Sequence, residues 1–137
     1  MAVVNNDTVT GRYKINGVTV LDPQLGSKPQ INITGVWYRN MNADRIGYVV
    51  ANMKKLTWVY TGINETDLAE ILSIIYRQLE SGKDTFTVTS YIIGKGVVTD
   101  LYYLGAEFNP GEKIGGIKED LYKLELHWIQ VNGKKTL

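Results

Sequence analysis

The sequence predicts a mainly β fold, an antiparallel β-sandwich or open barrel, with one flanking α-helix at about residues 66–81 and a long hairpin at about residues 30–51. Three observations indicate this. Only one stretch repeats its apolar residues with the 3.6-residue period of an amphipathic helix. Most other segments alternate apolar and polar residues, as half-buried strands do. An Asn-Gly pair between β-formers signals a tight hairpin.

The composition is that of one globular domain covering residues 1–137, with 44% hydrophobic residues. A formal net charge of +1 does not suggest a basic nucleic-acid-binding face. The chain has no cysteine, which excludes disulfides, thiolate metal sites and cysteine nucleophiles. The first residues lack the pattern of a signal peptide, and no apolar run has the length of a membrane span. We therefore expect synthesis in a cytoplasm and no membrane partner.

The N-terminal third predicts a flexible arm, a short hairpin and a long hairpin. Residues 1–10 are polar and read as the arm, and residues 12–21 read as a hairpin turning at Asn16 and Gly17. In the long hairpin, a strand at 30–39 and a returning strand at 45–51 flank a turn near Asn42. Residues 56–60 read as a separate short strand. Aromatic and apolar residues near the tip of a hairpin predict contact with a partner: Trp37, Tyr38 and Met41.

The helix is predicted between Asn64 and Gly82. Asn64 or Thr66 is expected to cap its N-terminus, and Gly82 is expected to end it in a left-handed conformation. Its apolar residues recur on one face and predict a stripe buried against a sheet: Leu68, Ile71, Leu72, Ile75 and Leu79.

The C-terminal half predicts three strands. Residues 85–93 lead through Gly94-Lys95-Gly96 into an antiparallel partner at 97–108, which is expected to kink at Gly105. Residues 109–116 read as a loop. The last strand is expected at residues 121–131, with one apolar face (Tyr122, Leu124, Leu126, Trp128) and one polar face (Lys123, Glu125, His127).

Two groups of residues are candidates for catalysis. His127 is the only histidine, and its alternation with lysine and glutamate favours an exposed surface position over a catalytic one. Four acids flank the glycine-rich loop, and a solvated loop explains them better than a glycoside-hydrolase pair does: Glu107, Glu112, Glu119 and Asp120. The sequence predicts no enzyme.

Two further groups are candidates for ligand binding. Asn40, Asn42 and Asp44 alternate like calcium ligands, but the glycine and distant glutamate of a calcium loop are missing, which favours a simple turn. Four aromatic residues could stack on sugars, although such residues more often belong to a core or an interface: Tyr91, Tyr102, Tyr103 and Trp128. The sequence predicts no metal site and no cofactor.

The order of elements resembles that of the small tail proteins of long-tailed bacteriophages and prophages. It runs from the strand Leu-Thr-Trp-Val-Tyr at 56–60 through the helix at 68–79 to the strand at 85–93. The partner Leu-Tyr-Tyr-Leu at 101–104 and the final strand at 122–131 follow. Tail tube proteins and the N-terminal domain of distal tail proteins share this plan, in which a β-sandwich or barrel carries one helix and a long hairpin.

The resemblance implies a structural virion protein rather than an enzyme. Such proteins form rings, usually hexamers, in the tail tube or in a distal tail or baseplate adaptor, around a channel through which DNA passes without specific binding. Their partners are copies of the same chain and neighbouring tail proteins, and they are assembled in the bacterial host cytoplasm. The long hairpin would contact the next subunit through Trp37, Tyr38, Arg39 and Met41. The N-terminal arm and residues 134–137 are further contact candidates.

Two other classes of function stay open. A small β-sandwich binding module, for a carbohydrate or a receptor, would need an aromatic patch on a concave face. A small barrel enzyme or ligand carrier would need a cavity lined by convergent polar groups.

Overall fold

The fold is that of a computed structural model, which describes residues 9–23, 27–105, 108–114, 116 and 119–133. Its described elements are eight strands and one helix. In chain order they are β1 (Lys14–Ile15), β2 (Val18–Thr19), β3 (Ser27–Arg39), β4 (Arg45–Ile63), α1 (Glu65–Glu80), β5 (Thr85–Ile92), β6 (Gly96–Leu104), β7 (Glu112–Lys113) and β8 (Tyr122–Gln130).

The strands form one hydrogen-bonded antiparallel sheet in the order β2-β1-β5-β6-β8-β4-β3, and the short β7 also pairs with β8. Strand β8 therefore joins two parts of the sheet, because β4 pairs along one of its sides and β6 and β7 along the other. The predicted fold class is confirmed: the structure is mainly antiparallel β with one flanking helix.

The core collects apolar residues from both parts of the sheet and from α1. Trp58 of β4 lies in edge-to-face contact with Tyr13, at 5.4 Å, and with Trp128, at 5.7 Å, between ring centroids. Its Nε1 donates a hydrogen bond of 3.3 Å to Ser90 Oγ of β5. Residues around β1, β5 and β8 thus meet around one side chain of β4, which requires the sheet to curl around its own core.

Both ends of α1 are capped. Asn64 is the N-cap, and its Oδ1 accepts a 2.8 Å hydrogen bond from the Asp67 amide, so the first of the two predicted caps is the one used. Asp120 adds a second cap, because its Oδ1 accepts from the Glu65 amide at 2.9 Å. At the other end Gly82 has φ +85°, the left-handed conformation expected for it.

The predicted apolar stripe of the helix is only partly buried. Leu68, Ile71 and Ile75 belong to the core and Leu72 packs against it. Leu79 is 41% exposed, so its prediction as part of the buried stripe is wrong. Leu79 lies one residue before the end of α1, in the last turn, where the helix has passed beyond the core.

The long hairpin is longer than predicted. It was expected at 30–51, followed by a separate strand at 56–60, but β3 and β4 pair continuously from Ser27↔Trp58 to Arg39↔Arg45. The prediction of a separate strand at 56–60 is therefore wrong, since residues 45–63 form one strand. A register shift between Thr34 and Gly35 marks a bulge. The turn lies at residues 40–44, close to the expected Asn42.

Two of the other predictions differ from the structure, whereas the Asn-Gly turn is as predicted. Asn16 and Gly17 have φ 51° and 80°, as the Asn-Gly turn requires. The partner strand predicted at 97–108 ends at Leu104, so Gly105 follows the strand instead of kinking it. The loop predicted at 109–116 contains β7, which pairs with the start of β8.

Both chain ends extend beyond the described residues. Of the flexible N-terminal segment predicted at residues 1–10, only Val9 and Thr10 are described. Thr10 binds the segment after β2, because its amide and its Oγ1 donate to the two carboxylate oxygens of Asp22 at 3.1 and 2.7 Å. The predicted contact segment at 134–137 lies outside the described residues.

Candidate interaction surface

The most distinctive feature of the fold is the outer part of the β3–β4 hairpin, residues 31–53, which we call the arm. We call the other described residues, α1 included, the body. The ladder between β4 and β8 begins at Lys55↔Ile129, so the arm lies beyond β8. Within the described residues, β3 and β4 pair only with each other along the arm. Residues 45–53 are the part of β4 that lies in the arm, and nine residues of a strand span about 30 Å. The arm is thus a two-stranded ribbon that leaves the sheet and projects from it.

The tip of the arm is held by its own side chains. Asn40 Oδ1 accepts from the amides of Asn42, at 2.9 Å, and Asp44, at 3.0 Å. Arg39 Nη1 donates to the Ala43 carbonyl oxygen at 2.7 Å, and Ala43 has a positive φ of 64°. The alternating Asn and Asp residues therefore form a turn, as the sequence indicated, and Arg39 braces it. A preformed tip loses little conformational entropy when it binds a partner.

The predicted contact residues all lie in the outer part of the arm. Met41 is fully exposed at the tip, and Tyr38 is 59% exposed on β3. Arg39 is exposed but occupied with the turn. Trp37 pairs through its backbone register with Gly47, and its side chain lies outside the described part of the structure. Tyr38 and Met41 are therefore the two candidates with apolar surface that the structure describes as free to contact a partner.

Two further apolar residues of the arm were not singled out from the sequence. Ile31 and Ile33 are 39% and 58% exposed, on the arm face that continues the inner face of the sheet. They alternate with Asn32 and Thr34, a sequence pattern that predicts a strand with two different faces. No described element covers that face of the arm. The alternating apolar residues Ile31 and Ile33 therefore form an exposed apolar strip.

The root of the arm adjoins a small apolar hollow. It has a volume of about 210 Å³ and lies between the start of β3 and the turn after β5, lined by Pro29, Ile31, Lys54, Ile92, Ile93, Gly94 and Lys95. Ile93 is 80% exposed beside it. The Gly94-Lys95-Gly96 connection closes a hairpin, as predicted, with φ 84° at Gly94 and 83° at Gly96. The exposed apolar strip therefore extends from the arm onto the body.

The arm also carries a free sheet edge. Among the residues that the structure describes, β3 is the terminal strand of the sheet, and its thirteen residues pair only with β4. The opposite terminal strand, β2, has only two residues. A long terminal strand presents a row of backbone donors and acceptors that a strand of another chain can bind.

Two of the catalytic candidates, Glu112 and His127, line one cleft, whereas Asp120 lies elsewhere, at the start of α1. His127 is 60% exposed on the polar face of β8, as predicted, with Nε2 3.5 Å from Glu125 Oε2. Asp120 caps α1 and Glu112 lies in β7, while Glu107 lies outside the described part. A cleft of about 640 Å³ runs along this face, lined by Leu104, Gly105, Phe108, Asn109, Pro110, Gly111, Glu112, Lys123, Glu125 and His127.

The four aromatic residues considered for sugar stacking do not share a face. Tyr102 and Trp128 are buried in the core, at 1% and 0% exposed. Tyr91 and Tyr103 are half-buried, and Tyr103 follows Tyr102 directly in β6 and so points to the opposite face. Two of the four are thus core residues, which is the more common role for such aromatics.

Searches for other chemistry and for relatives found no match. No group of three or more His, Cys, Asp or Glu side chains in the described residues is arranged to hold a metal ion. No helix in that part of the chain has the length and hydropathy to cross a membrane. No protein-family model, no curated protein and no solved structure matches the chain.

Proposed function

We propose that this protein is a structural subunit that assembles with other copies of itself through its arm. The observation that carries the proposal is the projecting two-stranded ribbon, which has a preformed tip and exposed apolar residues on its length. The assembly would be a ring of a bacteriophage tail, either of the tail tube or of a distal tail or baseplate adaptor.

The arm serves assembly better than it serves the stability of a single chain. All described residues of the buried core lie in the body, which includes α1, and none lies between residues 31 and 53. A two-stranded ribbon without a third strand is marginally stable in water. Its exposed isoleucines and its free edge are liabilities for a monomer, because they invite uncontrolled pairing. A neighbouring copy that covers the arm removes both liabilities.

A closed ring satisfies the geometry of such a contact. An arm that docks on a different surface of the next copy is a heterologous contact, and heterologous contacts end only when a ring closes. We propose a homo-oligomer, a hexamer by the resemblance, with neighbouring tail proteins above and below and located in the virion tail. A net charge of +1 suits a channel that lets DNA pass without holding it. The proposal assigns no catalytic step and no cofactor to the chain.

The test is the native mass of a variant with an altered arm tip. Tyr38→Ser combined with Met41→Ser removes two exposed apolar side chains near the tip whose positions the structure describes, and both lie outside the core. We expect the wild-type chain to form a large species by multi-angle light scattering, and the double variant to remain a monomer with an unchanged far-UV circular dichroism spectrum.

The matched control changes the same number of exposed side chains away from the arm. Val18→Ser combined with Tyr76→Ser alters residues that are 50% and 41% exposed on β2 and α1. This control should assemble like the wild-type chain. The proposal fails if the tip variant assembles as well as the control, or if the wild-type chain is a monomer at every concentration and with every tail partner tested.

A second candidate function is carbohydrate or receptor binding by a monomer. The cleft of about 640 Å³ along β8 favours it, because it combines an aromatic wall, Phe108, with polar groups such as Asn109 and His127. Glycan-array binding that is lost on Phe108→Ala, by a chain that does not self-associate, would favour this function over assembly.

A further inference from the structure

At the point where the arm leaves the sheet, a side-chain hydrogen bond replaces the backbone hydrogen bonds between β4 and β8. The last pair between β4 and β8 is Lys55↔Ile129. At the next position, the Lys54 amide donates to Oε1 of Gln130 at 2.9 Å. The Gln130 side chain therefore occupies the position of the next backbone rung between β4 and β8.

The side-chain amide of Gln130 also binds β6, the other neighbour of β8. Gln130 Nε2 donates to Asp100 Oδ2 of β6 at 2.7 Å, and Lys54 Nζ lies 3.7 Å from the same oxygen. Gln130 and Lys54 are 1% and 3% exposed. One buried side chain thus ties together three adjacent strands, β4, β6 and β8, at the root of the arm.

Buried clusters of this kind contribute more to specificity than to net stability. The desolvation of a buried ion pair offsets most of its Coulomb attraction, and the best-attested use of such groups is to fix one register among several. A bonded cluster also penalises any alternative pairing, because a slip leaves a buried donor or acceptor without its partner.

Register has a direct consequence for the arm. A slip of one residue in β4 would exchange the two faces of the ribbon, moving the strip with Ile31 and Ile33 to the side that now carries Asn32 and Thr34. Close packing supports the same point: a Cβ built on Gly133, just after β8, would lie 3.1 Å from the Cβ of Ala51. The chain after β8 therefore lies directly against the base of the arm.

We propose that Gln130, with Lys54 and Asp100, is a positioning residue that fixes the register of β4 and the direction in which the arm leaves the sheet. This inference concerns the geometry of a single chain. It holds whether or not the chain assembles into a phage tail.

The test measures the direction of the arm by pulsed electron paramagnetic resonance. The chain contains no cysteine, so Asn32→Cys on the arm and Ala69→Cys on α1, both exposed, provide the only two sites for spin labels. The labelled protein is diluted with unlabelled chain so that only distances within one copy are measured. We expect a single narrow distance distribution, which Gln130→Leu replaces with a broad or shifted one.

The matched control is Ser90→Ala. It also removes one buried hydrogen bond, from Trp58 Nε1, but within the body instead of at the arm root. It should lower the melting temperature and leave the distance distribution narrow. The inference is overturned if the parent distribution is already broad, or if Gln130→Leu and Ser90→Ala leave it equally narrow.

A second variant covers the case in which Gln130→Leu does not fold. Lys54→Met with Asp100→Leu removes both charges together, so that no lone charge stays buried, and leaves the Gln130 amide without its carboxylate partner. We expect this pair to keep the body folded and to broaden the distribution. A folded double variant with a narrow distribution would also overturn the inference.

Discussion

At the scale of single residues, the clearest case is Tyr60, which is fully buried in β4. Its hydroxyl donates a 2.6 Å hydrogen bond to the Leu21 carbonyl oxygen, which ties the segment after β2 to the core. Burial raises the pKa of Tyr60 well above its usual range, and the nearby Asp22 and Tyr13 raise it further. Ionisation of Tyr60 therefore costs free energy of folding.

This predicts a loss of stability in alkali that depends on Tyr60. Because its pKa is higher in the folded state than in the unfolded chain, the contribution to stability is complete below about pH 10 and declines above it. Tyr60→Phe should cost about 1 kcal/mol at neutral pH, through the lost hydrogen bond. It should also lose less stability than the wild-type chain between pH 9 and pH 11, both approximate bounds set by the ordinary tyrosine pKa.

The measurement is urea unfolding of both chains at the two pH values. Tyr76→Phe, on the exposed side of α1, is the control and should follow the wild-type chain. Parallel losses for wild type and Tyr60→Phe would contradict the role given to this hydroxyl.

At the scale of elements, α1 depends on capping groups from two places in the chain. Asn64 is local and Asp120 comes from the segment before β8. Together they satisfy two of the amides that the first turn of a helix leaves without partners. The helix is thereby attached to the sheet at its N-terminus as well as along its buried face.

We expect Asn64→Ala to lower the free energy of unfolding by about 1 kcal/mol, the usual cost of losing an N-cap. Thr66→Ala is the matched control, because Thr66 was the other possible cap and is exposed within the first turn. Thermal unfolding followed by circular dichroism distinguishes the two. Equal losses for both variants would argue against Asn64 as the cap.

The elements that the sequence predicted well are those with local signals. The Asn64 cap of the helix, the Asn-Gly turn and the tip of the arm each depend on residues within a few positions of one another. The root of the arm was missed for the opposite reason. Lys54 lies between the strands predicted at 45–51 and 56–60, yet it is buried beside Asp100. Its amide partner, Gln130, lies 76 residues away in the chain, and no local pattern indicates that contact.

At the scale of the whole molecule, the structure divides into a body that contains the core and an arm that contributes no described residue to it. The two parts therefore have separable roles, one in stability and one in contact with partners. The free edge and the exposed isoleucines lie on the arm, whereas the buried aromatic cluster around Trp58 lies in the body.

This separation predicts that the arm can be removed without unfolding the body. Replacing residues 33–52 by a two-residue Asn-Gly turn joins Asn32 to Met53, which face each other in the present register. The shortened chain should unfold cooperatively with a melting temperature within a few degrees of the parent, and it should not self-associate.

Differential scanning calorimetry and light scattering of the shortened chain test both expectations. Deleting Trp58 from the core by Trp58→Ala is the contrasting variant and should cost roughly 3–5 kcal/mol. If arm removal destabilised the chain as much as Trp58→Ala does, the division into body and arm would be incorrect.

The position of β8 also has a consequence for the order of events during synthesis. β8 is the last described strand in the sequence and yet lies between β6 and β4, so it is the only described element that joins the two parts of the sheet. A nascent chain that has emerged only to residue 121 holds the β3–β4 ribbon and the β1-β2-β5-β6 segment as separate pieces, neither with a complete core. The two parts of the described sheet therefore pair only after its last described strand has been synthesised, and we expect a product that stops before residue 122 to be open to proteases.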